Sequence, residues 1–176
     1  MLTTCSKSSL LAGPPKRVYL SLGSNLGDSR ALIRKALGEL SAAGIKIVRA
    51  SSLYKTEPVE YLDQPWFINS AACAETNLSP RRLLRALKCI ERTLGRIRGK
   101  PKGPRMIDID ILLYENVVVR SSGLTIPHAR LTERRFVLVP LREIAPRVVH
   151  PVTGLTVSEL LGKTGDKSRV IRLREK

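Results

Sequence analysis

The sequence predicts an α+β fold, a mostly antiparallel sheet with helices packed on one face. Strand-like segments (RVYLSLGSN, WFINSAACAET, IDIDILLY) and two stretches with apolar residues at helical spacing carry this prediction. They follow the order strand–helix–strand–strand–helix–strand, which is the split βαβ arrangement of a ferredoxin-like two-layer sandwich.

Residues 1–16 are Ser-rich and free of acidic side chains, and read as an N-terminal tail. In RVYLSLGSN, Val18, Leu20 and Leu22 alternate onto one strand face. Asn25-Leu26-Gly27-Asp28 then turns, and Asp28 or Ser29 caps a helix carrying Leu32, Ile33, Ala36, Leu37 and Leu40, with Gly44 beyond its stop. KIVRASSLY reads as one strand and TEPVEYLDQP as a loop. After WFINSAACAET, Ser79-Pro80 starts a helix with proline at its first position. That helix buries Leu83, Leu84, Leu87, Ile90 and Leu94 and stops at Gly95. The basic loop RIRGKPKGPR leads into IDIDILLY, a hairpin around VVVRSSGLTI and a helix through ERRFVLVPLREIA. Residues 163–176, including KSRVIRLREK, read as a solvated basic segment, which leaves residues 17–162 as the domain.

The chain of 176 residues is 43% hydrophobic, enough for one core, and has no apolar run suited to a membrane span. Cys5, Cys73 and Cys89 are odd in number and widely spaced, which reads as reduced thiols in a cytoplasmic protein. Lys and Arg number 31 against 15 Asp and Glu, a net charge of +16 that favours polyanionic or phosphorylated partners.

The stretch GPRMIDIDILLY sets Asp108 and Asp110 two residues apart in an apolar run. In a strand both project to one face, about 6–7 Å apart, while Ile107, Ile109 and Ile111 face the other way. At an effective dielectric near 20 the carboxylates repel by about 2–3 kcal/mol. A solvated sheet face would tolerate them, but aspartate is a poor strand former. A divalent cation converts the repulsion to attraction, and hard oxygens at this spacing suit Mg²⁺ held together with substrate phosphates. Arg96, Arg98, Lys100, Lys102 and Arg105 feed this strand, and guanidinium forks match phosphate oxygens.

On the segments YLSLGSNLGD, SSLYKTEP, QPWFINSA, IERTLGRIR, GPRMIDIDILLY and LTIPHARLTERRFVLVPLREIAP, the chain resembles the 6-hydroxymethyl-7,8-dihydropterin pyrophosphokinases of folate biosynthesis. The resemblance implies transfer of diphosphate from ATP to the pterin hydroxymethyl group, with two Mg²⁺ ions between Asp108, Asp110 and the phosphates. It implies catalytic roles for Arg96 and Arg105 beside those aspartates. It implies an ATP side formed by Leu84, Lys88, Glu91, Arg96, Arg105, Ile111, Thr125, His128 and Arg134. The pterin side would be Thr56, Glu57, Val59, Phe67, Asn69, Asp108 and Phe136, with Phe67 and Phe136 offering stacking faces and Asn69 a donor and an acceptor. Gly23, Ser24 and Asn25 read as a turn packed against these loops, with Gly23 serving backbone geometry. His150 lies outside the motifs and reads as structural or surface. Lys102 and Ala129 depart from the family pattern, where aromatic residues are frequent.

The rival reading is a nucleic-acid-binding module on the same sheet. Sheet-face RNA binders stack bases on exposed aromatics, whereas here the strand offers aspartates that repel a phosphate backbone. Nucleic acid is therefore not expected as a specific partner; ATP and the pterin are, for a monomer without membrane attachment.

Overall fold

The computed structural model describes residues 13–59, 61–96 and 103–174. The central sheet contains β1 (Lys16–Ser24), β2 (Lys46–Ala50), β3 (Tyr54–Thr56), β4 (Phe67–Thr76), β5 (Asp108–Tyr114) and β8 (Val170–Arg172), in the order β5-β1-β4-β3-β8 with β2 also on β4. Its pairings are antiparallel. A separate hairpin joins β6 (Val119–Ser121) to β7 (Leu124–Ile126).

Helix α1 (Ser29–Ala42) begins where the Asp28 carboxylate accepts a hydrogen bond from the Ala31 N–H at 3.0 Å, so Asp28 is its cap. Helix α2 (Pro80–Thr93) starts on Ser79 with Pro80 at its first position, and Gly95 follows it at φ +89°. Both helices cover one sheet face. Val18, Leu20, Leu22, Ile109 and Ile111 pack there against Ile33, Leu40, Leu83 and Leu87. Burying each such leucine or isoleucine is worth about 1.5–3 kcal/mol, so this layer supplies much of the cohesion.

The α+β class and antiparallel sheet are as predicted, but helices occupy both faces. Helix α3 (Arg135–Ile144) and helix α4 (Val157–Lys163) form a third layer on the back face. Tyr19, Ala71, Cys73 and Leu113 pack there against Leu138, Leu141 and Leu160. Alternation explains it: Tyr19 points away from Val18 and Leu20, and Cys73 away from Ala72 and Ala74. Helix α4 opens on a capping box in which Thr156 and Glu159 exchange side-chain and backbone hydrogen bonds.

Two strand readings change. KIVRASSLY is broken at Ser51–Leu53, where the Ser51 N–H donates to the Ala71 carbonyl and the Ser52 N–H to the Glu143 carboxylate. The resulting strands share one edge of β4, with β3 along residues 67–69 and β2 along residues 72–75. KSRVIRLREK reads as a solvated tail in the sequence, yet its residues 170–172 form edge strand β8 against β3. The tail reading for residues 1–12 and the roles of Arg98, Lys100 and Lys102 lie outside the described residues.

Candidate active site

Helices α3 and α4 leave one end of the back face uncovered, and a cleft of about 300 Å³ opens there. Its floor follows from strand register. Ser21 and Gly23 of β1 lie beside Asp110 and Asp108 of β5, and Gly23 faces Asn69 of β4 on its other side. These residues occupy the face opposite Leu20 and Leu22, so the alternation that builds the core also delivers the cleft.

One wall carries Thr56, Glu57 and Val59, with Phe67 beside Asn69; the other carries Arg134 and Phe136 at the start of α3. The Asn69 Nδ2 donates to the Thr56 Oγ1 at 2.7 Å, which fixes the amide plane and leaves its oxygen aimed past Gly23. The faces of Phe67 and Phe136 are covered by guanidinium groups, Arg105 at 5.9 Å and Arg134 at 5.5 Å from the ring centroids.

Behind the floor, Glu91 is 1% exposed and anchors a charge network. Its carboxylate accepts from the Ile109 N–H at 2.7 Å, from Lys88 at 2.8 Å and from Arg96. Arg96 also reaches an Asp108 oxygen at 2.6 Å, and Arg105 reaches the other at 2.5 Å. Burial pushes the Asp108 carboxyl up, but Arg105, Arg96 and Lys88 outweigh it and hold the group below its ordinary range. Asp110 differs. Burial, then the neighbouring Asp108, push its carboxyl up, and no ion pair reaches it among the described residues. Burial lowers the His128 imidazole, against the pull of Asp110. His128 Nδ1 accepts from the Arg130 N–H at 3.2 Å, which places a neutral ring's proton on Nε2.

Eleven of the residues singled out from sequence line the cleft: Gly23, Thr56, Glu57, Val59, Phe67, Asn69, Arg105, Asp108, Asp110, Arg134 and Phe136. Lys88, Glu91 and Arg96 join it through Asp108. Leu84, Ile111, Thr125 and His128 are not part of its lining. Ile111 is buried in the front core with Leu84 packed against that core, and Thr125 is exposed on β7 opposite Arg120. His150 is structural: its Nδ1 accepts from the N–H groups of Val152 and Thr153. Sequence reading misses Ser21, Pro58, Tyr61, Gln64 and Arg130 in the lining. Ser21 is legible all the same, since any residue between Leu20 and Leu22 must face the aspartates' side.

An α+β sandwich whose uncovered sheet end combines paired carboxylates, arginines and aromatic walls defines a protein with a small-molecule cleft whose cations suit phosphate-bearing ligands. Comparison with known proteins narrows this class. Residues 19–146 match the family described as "7,8-dihydro-6-hydroxymethylpterin-pyrophosphokinase (HPPK)". The chain is 47% identical over 148 residues to the 2-amino-4-hydroxy-6-hydroxymethyldihydropteridine pyrophosphokinase of Methylorubrum extorquens, covering 84% of this chain and 92% of that protein. It is 50% identical over 149 residues to the folic acid synthesis protein fol1 of Schizosaccharomyces pombe, covering 84% of this chain and 20% of that protein. The chain thus spans about a fifth of the length of such fungal relatives. A solved HPPK-DHPS in complex with substrates shares the fold, with a TM-score of 0.70 and 16% identity over 85% of this chain and 43% of that one. The chain belongs to the 7,8-dihydro-6-hydroxymethylpterin-pyrophosphokinase family.

Proposed function

We propose that this chain is a Mg²⁺-dependent diphosphotransferase that moves diphosphate from ATP to 6-hydroxymethyl-7,8-dihydropterin and releases AMP. The observation that carries the reading is the Asp108–Asp110 pair, on one strand face between arginines on one side and Asn69 on the other. In the reaction, the pterin hydroxyl oxygen bonds to the β-phosphorus of ATP. The bond from that phosphorus to the α–β bridging oxygen breaks, its electron pair leaves with AMP, and the hydroxyl proton is released.

The residues fit a divalent cation. Asp110 is a partly buried carboxylate beside a like charge, with Lys88 and Arg134 acting on it only at a distance and no direct ion pair among the described residues, and both aspartates offer hard oxygens. Mg²⁺ held by Asp108 and Asp110 with the phosphates would neutralise developing charge and ease deprotonation of the hydroxyl. Arg96 and Arg105 neutralise Asp108 in the free chain and are placed to exchange that partner for phosphate oxygens. Asn69, held by Thr56, would read the pterin's donor–acceptor edge. Phe67 and Phe136 would take the ring faces once Arg105 and Arg134 turn to the phosphates. Leu84, Ile111, Thr125 and His128 would serve the nucleotide beyond the cleft. Catalysis in this arrangement is chiefly positioning and charge stabilisation.

The test is AMP release from ATP and Mg²⁺ with and without the dihydropterin, comparing the chain with Asp110→Ala. Pterin-dependent AMP that falls by about 10²–10³-fold in the variant is expected, the scale of losing one preorganised electrostatic group. A folded wild-type chain that makes no pterin-dependent AMP would sink the reading.

A further inference from the structure

The C-terminal segment, which follows the family match at residues 19–146, returns to both walls of the cleft. Asp166 Oδ2 accepts from the Arg135 N–H at 2.8 Å, the first residue of α3, whose neighbours Arg134 and Phe136 line the cleft. Asp166 Oδ1 accepts from the Ser168 N–H at 2.8 Å and fixes the turn that follows. Arg169 then reaches the opposite wall. Its Nε donates to Glu57 Oε2 at 3.0 Å, and its carbonyl accepts from the Glu57 N–H at 3.2 Å. Its guanidinium lies 4.8 Å from the Trp66 ring centroid, beside Phe67, and Lys55 lies 5.3 Å from the same ring. Val170 pairs with Thr56, the partner of Asn69.

We propose that residues 166–172 form a strap that sets the width of the pterin side of the cleft, with Asp166 and Arg169 as positioning residues for that ligand. This rests on the pyrophosphokinase reading above. Only Lys167 and Ser168 lie between the two anchors, and the three Cα–Cα steps from Asp166 to Arg169 span at most about 11 Å when extended. The Thr56–Glu57 wall and the Arg134–Phe136 wall therefore cannot spread beyond that slack unless an anchor breaks. The Arg169 side chain is 70% exposed, so its ion pair alone contributes little to stability. Strand pairing and the Glu57 N–H bond hold the segment in place; what the guanidinium adds is orientation of Glu57 and Trp66. Asp166 does the same for α3, where the helix has no side-chain cap of its own and a carboxylate meets the positive end of the helix dipole.

The experiment measures AMP release by the full chain at varied pterin and at varied ATP for wild type, Arg169→Ala, Arg169→Lys and Asp166→Asn. Thermal melts and the fluorescence of Trp66, the chain's one tryptophan, are recorded alongside. Arg169→Ala and Asp166→Asn are expected to raise the pterin KM about five- to tenfold, the scale of one ordinary hydrogen bond, and kcat is expected to change little. For Arg169→Ala the ATP KM stays at the wild-type value and Trp66 emission shifts. Arg169→Lys recovers part of the pterin KM, since it keeps the charge and loses the planar fork. If Arg169→Ala fails to fold, Asp166→Asn decides. An unchanged pterin KM in the folded variants, whatever happens to melting temperature or kcat, overturns the strap while leaving the pyrophosphokinase reading intact. A folded wild-type chain without pterin-dependent AMP overturns both.

Discussion

Gly23 lies opposite Asn69 in the β1–β4 pairing, and a Cβ built on Gly23 would stand 2.6 Å from the Asn69 Oδ1. The glycine is needed for the side chain it lacks, since it is not among the residues with positive φ. Gly23→Ala must therefore displace the Asn69 amide and strain its 2.7 Å bond to Thr56 Oγ1. We predict a stability loss of about 1–2 kcal/mol, the scale of one buried hydrogen bond, and a pterin KM raised at least about tenfold. Urea unfolding and steady-state kinetics on one preparation check both, and an unchanged KM would remove Asn69 from recognition.

Much of this site is legible in the amino-acid sequence. Period-two alternation places Leu20 and Leu22 on one face, which forces Ser21 and Gly23 to the other, and the spacing of Asp108 and Asp110 puts both carboxylates there too. What strand patterning does not supply is the third layer. Tyr19, Ala71 and Cys73 are too small or too mixed in polarity to announce a second buried face, so the helix read through ERRFVLVPLREIA is expected with the others on one face, whereas α3 packs on the opposite one. The α4 start is readable, because TVSE is a capping-box sequence. Strand β8 is not: Val170–Arg172 is three residues long, lies among basic residues and depends on β3 across the sheet edge.

Glu91 holds Lys88, Arg96 and the Ile109 N–H together. Glu91→Ala would leave a buried N–H and two cations without their common acceptor. The expected cost is about 2–4 kcal/mol, towards the lower end for a buried pair because both cations are partly exposed. Glu91→Gln keeps an acceptor for Ile109 and should cost less. Urea midpoints at unchanged m-value measure the difference, and equal stability of the alanine variant would show that the network is dispensable.

Glu143 ties the back layer to β3, accepting from the Ser52 N–H at 3.0 Å, the Ser52 Oγ at 2.8 Å and the Tyr54 hydroxyl at 2.8 Å. Burial pushes its carboxyl up, but these donors and Arg172 together hold it below the ordinary value of 4.5. A depressed folded pKa contributes stability that is present above the unfolded value and is lost as pH falls through the folded one. Wild type should therefore exceed Glu143→Gln by about 1–2 kcal/mol at pH 7, the scale of hydrogen bonds to a charged group. Below pH 4.5 the gap should narrow progressively. Urea melts of both proteins at several pH values test this, and a gap that widens in acid would reverse the assignment.

Asp110 presents the opposite balance. It is a partly buried carboxylate, about 6–7 Å by strand geometry from Asp108 and without an ion pair among the described residues. In the free chain at neutral pH it opposes folding, because burial and the like charge both favour its neutral form. Asp110→Asn keeps the shape and removes the charge. Without nucleotide or divalent cation it should be more stable than wild type by at most about 2–3 kcal/mol, the bare like-charge repulsion at that distance with an effective dielectric near 20, which Arg96 and Arg105 on Asp108 reduce. Adding Mg²⁺ and a non-hydrolysable ATP analogue should raise the wild-type Tm and leave the variant's nearly unchanged, since ligand binding stabilises only a chain that can hold it. Thermal melts of both chains with and without ligand read the two effects separately. If the variant is less stable than wild type in the free state, Asp110 is a structural residue, and its like-charge neighbour has no bearing on cation binding.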